Sequence, residues 1–215
     1  MRKIGKNIRL HILNASGEFN PWVEKIFKVS SKHIKIIGTK IPIDDIDIVF
    51  YNAPWSIVED IGVSGRSRGA YTLFVTFNLK NKNMNLVIEK EMPKTLAHEL
   101  HHIVRYKAVG HRKTMLDGLI AEGLAGHFVM ELFGGEIQSW FRAIKANDLN
   151  KVMKLYEKNY FEPNDETKWL FGEKGGKIPK WAGYTVGYEI VKTYLKKHPK
   201  KKASNLYKVL SEEFI

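Results

Sequence analysis

Apolar and polar residues alternate over "IRLHIL" (8–13), the period of a strand with one wetter face. Pro21 then opens "PWVEKIFKVSSKHIKII", where Trp22, Ile26, Val29 and Ile34 recur near helical spacing. "IPIDDIDIVFYNA" (41–53) reads as a second strand, its Ile43, Asp44, Ile46, Asp47, Ile48 pattern giving one polar face. Gly62, Gly65 and Gly69 mark a loop. "AYTLFVTFNL" (70–79) is a strong β run of aromatic and branched residues, closed by the polar turn "KNKNMN". From about residue 88 the period lengthens. Helices are predicted over about 93–107 with Pro93 in the first turn, over 114–133 ending at Gly134-Gly135, and through "IQSWFRAIKANDLNKVMKLYEKNYF" (137–161). A loop rich in Gly, Pro and charge (162–182) precedes a helix over 184–197, which Pro199 stops, and a short terminal helix.

Strands with one helix in the first 88 residues, then a helical half, define the α+β class. The chain has 215 residues and is 44% hydrophobic, enough for one sizeable core. A single domain spanning 1–215 is expected, with 1–88 its α/β part and 89–215 its helical part. There are no repeats and no low-complexity linker.

Charge and cysteine content narrow the chemistry. The net charge is +12, which favours an acidic partner such as nucleic acid, an anionic membrane or an acidic peptide, or serves solubility alone. With no cysteine, disulfides and thiolate ligands are excluded, so any metal must sit on His, Asp or Glu. The N-terminal "MRKIGKNIRLHILNAS" lacks the apolar run of a signal peptide, and no window approaches a membrane span. A cytoplasmic location is the expectation.

The chemistry concentrates in "LAHELHH" (96–102). On a helical wheel Leu96, Leu100, Ile103 and Val104 form the core stripe. His98 and His102, four apart, stack on the opposite face, where their imidazoles can converge on one ion. Glu99 is turned away from that line and is placed to reach a water on the ion rather than to bind it. A polar helix face without chemistry is the alternative. With 8 histidines and 16 glutamates in 215 residues, chance produces the His-Glu-x-x-His pattern about 0.02 times per chain, so context must decide. Glu122 in "LIAEGLAGHF" supplies that context, 20 residues after His102 on the next predicted helix. Gly118, Gly123, Ala125 and Gly126 surround it, and small residues would let that helix approach the first. His111, Asp117 and His127 are rival ligands. Ala108 and Arg105 occupy the positions where a metzincin carries its third histidine and its glycine. His101 is offset from the pair and reads as polar surface or as a group behind the ligands.

"HELHH", "AEGLAGHF" and "AGYTVGYEIV" together resemble a bacterial family of predicted zinc-dependent proteases, and more loosely the gluzincins. The motif-level likeness covers about residues 96–128 and 183–191. It implies a thermolysin-like zincin fold, with a twisted sheet over the HExxH helix and a helical lower part. It also implies Zn2+ on His98, His102 and Glu122, with Glu99 as catalytic base and a peptide or protein as substrate.

In that reading the developing oxyanion needs a second stabiliser. Tyr184 and, after it, Tyr188 are candidates, four apart on one helix face, with plain aromatic packing as the alternative; His111 ranks lower. Asp117 is a candidate to orient a ligand histidine. An extended substrate could add to the strand at 70–79, with Arg66 and Arg68 favouring acidic groups; an edge strand protected by charge is the alternative, and the favoured one. The rival functions are nucleic-acid binding through "KKHPKKKASNLYK" (196–208) and a zinc-binding scaffold without turnover.

Overall fold

The structure, a computed structural model, describes residues 1–5, 7–57, 61–165, 167–172 and 175–215. The chain divides into two compact units, Met1–Val104 and Arg105–Ile215.

The first unit is a five-stranded sheet with helices on one face. Its strands are β1 (Arg2–Ile4), β2 (Ile8–Ile12), β3 (Ile46–Asn52), β4 (Val63–Arg68) and β5 (Thr72–Phe77), in the order β1-β2-β3-β5-β4. The β2–β3 and β3–β5 pairs are parallel, and β1 and β4 flank them antiparallel. Helix α1 (Val23–Gly38) makes the crossover from β2 to β3 that a parallel pair requires.

Alternation decides which face is buried. Ile46, Ile48 and Phe50 of β3 are covered, as are Leu10, Val63, Leu73, Val75 and Phe77 in register beside them. Ile26, Phe27, Ile34 and Ile37 of α1 supply part of the opposing layer. Asp47, Val49 and Tyr51 point the other way and remain partly accessible, as the Ile/Asp pattern predicts. A short helix α2 (Met84–Leu86) and a π-helical turn (Val87–Glu91) run directly into α3 (Met92–Val109). The Ser30 hydroxyl of α1 meets Met92 Sδ at 3.6 Å, at the start of α3.

Two expectations about the sheet are corrected. Residues 62–69 are not a loop: 63–68 form β4, a hairpin partner of β5. Position 70–79 is therefore no place for strand addition, because β5 is paired on both sides and β4 ends the sheet. The glycines at 62 and 69 misled the reading. Both have positive φ (70° and 64°) and sit at the ends of the strand, whereas Gly65 lies within it, against Glu99 and Thr95 of α3.

The second unit is helical: the last residues of α3, then α4 (Met115–Phe133), α5 (Ala146–Glu157), α6 (Ala182–Lys197) and the short α7 (Ala203–Leu206). The expected helix over 137–161 is broken into a 3₁₀ turn (Ser139–Arg142) and α5, and a π-helical turn (Thr167–Phe171) stands in the expected 162–182 loop. Residues 166, 173 and 174 of that loop lie outside the described residues.

Helices α4 and α6 pack through glycine. A Cβ on Gly123 would sit 2.2 Å from the Gly187 carbonyl oxygen, and one on Gly187 would sit 2.1 Å from that of Leu119. No side chain fits at either point, so backbone meets backbone.

Candidate metal centre

His98, Glu99 and His102 lie in one turn of α3, within the first unit. Their ligand atoms all fall within 4.8 Å of one another. The two Nε2 atoms face each other at 2.9 Å, and the rings meet edge to face with centroids 4.5 Å apart. Tetrahedral zinc with Zn–N of about 2.0–2.1 Å would separate two such nitrogens by roughly 3.3 Å, so a shift of a few tenths of an ångström would admit an ion. The donor set fits: two imidazoles bring their Nε2 atoms face to face, with a carboxylate in the same cluster.

The helix carrying them is not a simple amphipath. Leu96, Leu100, Ile103 and Val104 form the expected core stripe, joined by Ala97, but Glu99, His101, His102 and Arg105 are also buried. His101 has no exposed surface, which corrects its reading as polar surface.

Glu99 is held from the end of the sheet. The backbone N–H of Ser67 in β4 donates to Glu99 Oε2 at 2.8 Å. In the antiparallel ladder Asn78 N–H bonds to the Gly62 carbonyl, so the even-numbered residues of β4 face β5. Ser67 and Gly65 therefore turn their N–H groups away from β5, and Ser67 meets the carboxylate there. Gly65 makes the approach possible, because a Cβ on it would lie 2.4 Å from Glu99 Cγ and 2.7 Å from Thr95 Cγ2. Sequence reasoning missed this contact; the available signal was the alternation of Val63, Gly65 and Ser67 against Arg66 and Arg68.

Glu122 stands in α4, within the second unit, and is buried. Its Oε1 accepts from the Arg112 guanidinium at 3.0 Å. The glycines around it each meet a neighbour: Gly123 meets α6, a Cβ on Gly126 would strike the Phe141 ring at 2.6 Å, and one on Gly118 would meet Asn164 Oδ1 at 2.8 Å.

Asp117 is tied to the start of α4 and to Ser211. Its Oδ2 accepts from the Lys113 and Thr114 N–H groups at 2.9 and 3.0 Å, and its Oδ1 from the Ser211 hydroxyl at 2.6 Å. With Thr114 it closes a capping box at the start of α4. Burial raises the Asp117 carboxyl pKa, but the bonds from Ser211, Thr114 and Lys113 together outweigh burial and hold it below its ordinary value.

The remaining candidates are placed as follows. Tyr188 is buried, stacks on His127 at 3.9 Å and leans on Phe141 at 5.2 Å; burial pushes its hydroxyl pKa up. Tyr184 is half-buried with its ring edge to face against Phe141 and Phe171, each at 5.9 Å. Burial lowers the His127 pKa, partly offset by its bond to the Tyr188 carbonyl at 3.0 Å. His111 is exposed, with Tyr106 edge-on at 5.9 Å.

A helix-borne His-Glu-x-x-His cluster, its glutamate bonded to the last strand of a sheet, is a possible metal-binding centre of the kind found in zinc hydrolases. Over residues 22–215 the chain matches the family described as "Predicted Zn-dependent protease (DUF2268)", and it belongs to that family. Among curated proteins it is similar to two from Bacillus subtilis (strain 168). "Uncharacterized protein YjfC" is 30% identical over 126 residues, covering 50% of this chain and 40% of the relative. "Uncharacterized protein YjaZ" is 35% identical over 117 residues, covering 46% of this chain and 41% of the relative. The chain thus matches about two-fifths of the length of these relatives. No solved structure matches it. No helix among the described residues is long and apolar enough to cross a membrane.

Proposed function

We propose that the protein is a zinc-dependent peptidase built on a zincin-like fold, with His98, His102 and Glu122 as metal ligands and Glu99 as general base. The observation that carries the reading is the pair of Nε2 atoms facing each other at 2.9 Å with the Glu99 carboxylate in the same cluster. The family description supports it. Glu122 is the proposed third ligand because it is a buried carboxylate on the helix that follows the histidines, and two imidazoles with one carboxylate leave a coordination position open.

Zinc bound there would supply a Lewis acid for the scissile carbonyl and for the attacking water. Glu99 takes the proton from that water and passes it to the leaving amine. The Ser67 N–H holds Oε2 of Glu99 before substrate arrives, which leaves Oε1 to serve as the base. Tyr184, the more accessible of the two tyrosines, is the proposed second stabiliser of the carbonyl oxygen, with its ring against Phe141. An extended substrate segment is proposed to add to β4, the strand that ends the sheet beside Glu99.

The test compares wild-type protein and Glu99→Gln, both loaded with zinc, on a mixed peptide library read by mass spectrometry. The reading expects at least a hundredfold loss of cleavage with zinc content unchanged. Equal cleavage by the two proteins would remove Glu99 from the chemistry.

A further inference from the structure

The proposed ligand Glu122 is buried, and an arginine from outside its own helix meets it. We propose that Arg112 is a positioning residue of the metal centre, whose guanidinium fixes the rotamer and plane of the Glu122 carboxylate so that the carboxylate is set for a cation. The inference rests on the reading of Glu122 as a ligand and adds a residue to it.

The segment that carries Arg112 is built to hold it still. Gly110, at φ +85°, follows α3, its N–H bonded back to the Tyr106 carbonyl at 2.9 Å. Over the three residues after Arg112 the chain is fixed by three partners. Asp117 accepts from the N–H groups of Lys113 and Thr114. Asn164 N–H donates to the Lys113 carbonyl at 3.0 Å, and Met115 N–H donates to the Glu162 carbonyl at 2.8 Å.

Asp117 is itself fixed through Ser211, whose hydroxyl takes a bond from buried Arg105 at 3.0 Å. A chain of hydrogen bonds therefore runs from the C-terminal segment, through the cap of α4, to the short loop that presents Arg112. A salt bridge on a loose loop would order little. Here both the loop and the carboxylate are immobilised, the Glu122 side chain at 5% exposure and that of Arg112 at 22%. Arg112 Nη1 donates to one oxygen of the carboxylate, Oε1, at 3.0 Å, and the planar guanidinium directs its donors in a way that a freely rotating ammonium does not.

A group that orients a ligand contributes to affinity by removing the cost of ordering it, typically 10–100-fold in metal binding. The experiment measures zinc affinity of the full chain by competition with a chromophoric chelator, for wild type, Arg112→Gln, Arg112→Lys, Glu122→Gln and the Arg112→Gln/Glu122→Gln pair. Circular dichroism confirms that each is folded. The expected result is a 10–100-fold loss for Arg112→Gln, a partial recovery for Arg112→Lys, and a double variant no weaker than Glu122→Gln alone. Wild-type affinity in Arg112→Gln with weakened binding in Glu122→Gln would overturn the inference and leave the ligand reading standing. Additive losses in the double variant would also overturn it, because Arg112 would then act other than through Glu122. Wild-type affinity in Glu122→Gln would overturn the ligand reading and this inference together.

Discussion

Substituting Gly65 with alanine tests whether β4 and the HExxH helix touch as described. The added Cβ would lie 2.4 Å from Glu99 Cγ and 2.7 Å from Thr95 Cγ2. Carbon atoms pack at about 3.5–4.0 Å, so the shortfall is at least about 1 Å at Glu99, and the atom struck lies in mid-chain and cannot simply swing aside. Overpacking of this kind costs about 1–3 kcal/mol. The strand must back away, and the bond from Ser67 N–H to the Glu99 carboxylate lengthens, adding about 1 kcal/mol. Gly65→Ala is therefore expected to lose about 2–4 kcal/mol in urea unfolding followed by circular dichroism. In a Glu99→Ala background the struck Cγ is gone and only Thr95 remains, so the same substitution should cost at least about 1 kcal/mol less. A Gly65→Ala protein within about 0.5 kcal/mol of wild type, or an equal cost in both backgrounds, would refute the packing argument.

Other outcomes follow from the same geometry. Arg105 donates to the Tyr207 and Val209 carbonyls at 3.2 and 2.7 Å and to Ser211 Oγ at 3.0 Å, and burial brings its pKa down to about 10. Arg105→Met strands these acceptors and is expected to cost about 3–5 kcal/mol and to expose residues 207–215 to limited proteolysis; a loss under about 1 kcal/mol would contradict it. Burial holds the folded-state pKa of His127 below 6.5, so the unfolded chain takes up that proton first as pH falls. This contribution is complete above about pH 6.5 and is lost on acidification towards the lower folded value, so His127→Gln should flatten the stability–pH curve across that window. An unchanged slope would contradict it. Zinc added to metal-stripped protein at about a hundred times its Kd should stabilise it by about 2.7 kcal/mol, and the gain should vanish in the His98→Ala/His102→Ala pair; an equal gain in that pair would place the metal elsewhere.

What the sequence disclosed depended on how local the determinant was. The His98–His102 pair follows from four-residue helical spacing alone, and strands within 41–53 and 70–79 from branched and aromatic runs, although they occupy only 46–52 and 72–77. The β4 strand escaped because its inward positions are Val63, Gly65 and Ser67, a weak apolar signal that makes sense only once Glu99 fills the space over Gly65. Glycines at 118, 123 and 126 were legible as sites of close approach, but not what approaches: Asn164, Gly187 and Phe141 are all distant in sequence. The break near residue 143 was hidden too. There the Thr185 hydroxyl accepts from Ala143 N–H at 3.1 Å and donates to the Trp140 carbonyl at 3.2 Å, a tertiary bond that replaces helix continuation. Arg105 read as a departure from a metzincin motif, whereas its place in the fold is to hold residues 207–211.

The most direct test of the account is a crystal of the full chain soaked in zinc, with anomalous scattering recorded on both sides of the zinc edge. The account predicts one strong peak about 2.0–2.2 Å from Nε2 of His98, Nε2 of His102 and one Glu122 oxygen, with Glu99 near the ion but not bound to it. A peak with Glu122 well outside bonding distance, or none at the two histidines, would contradict it.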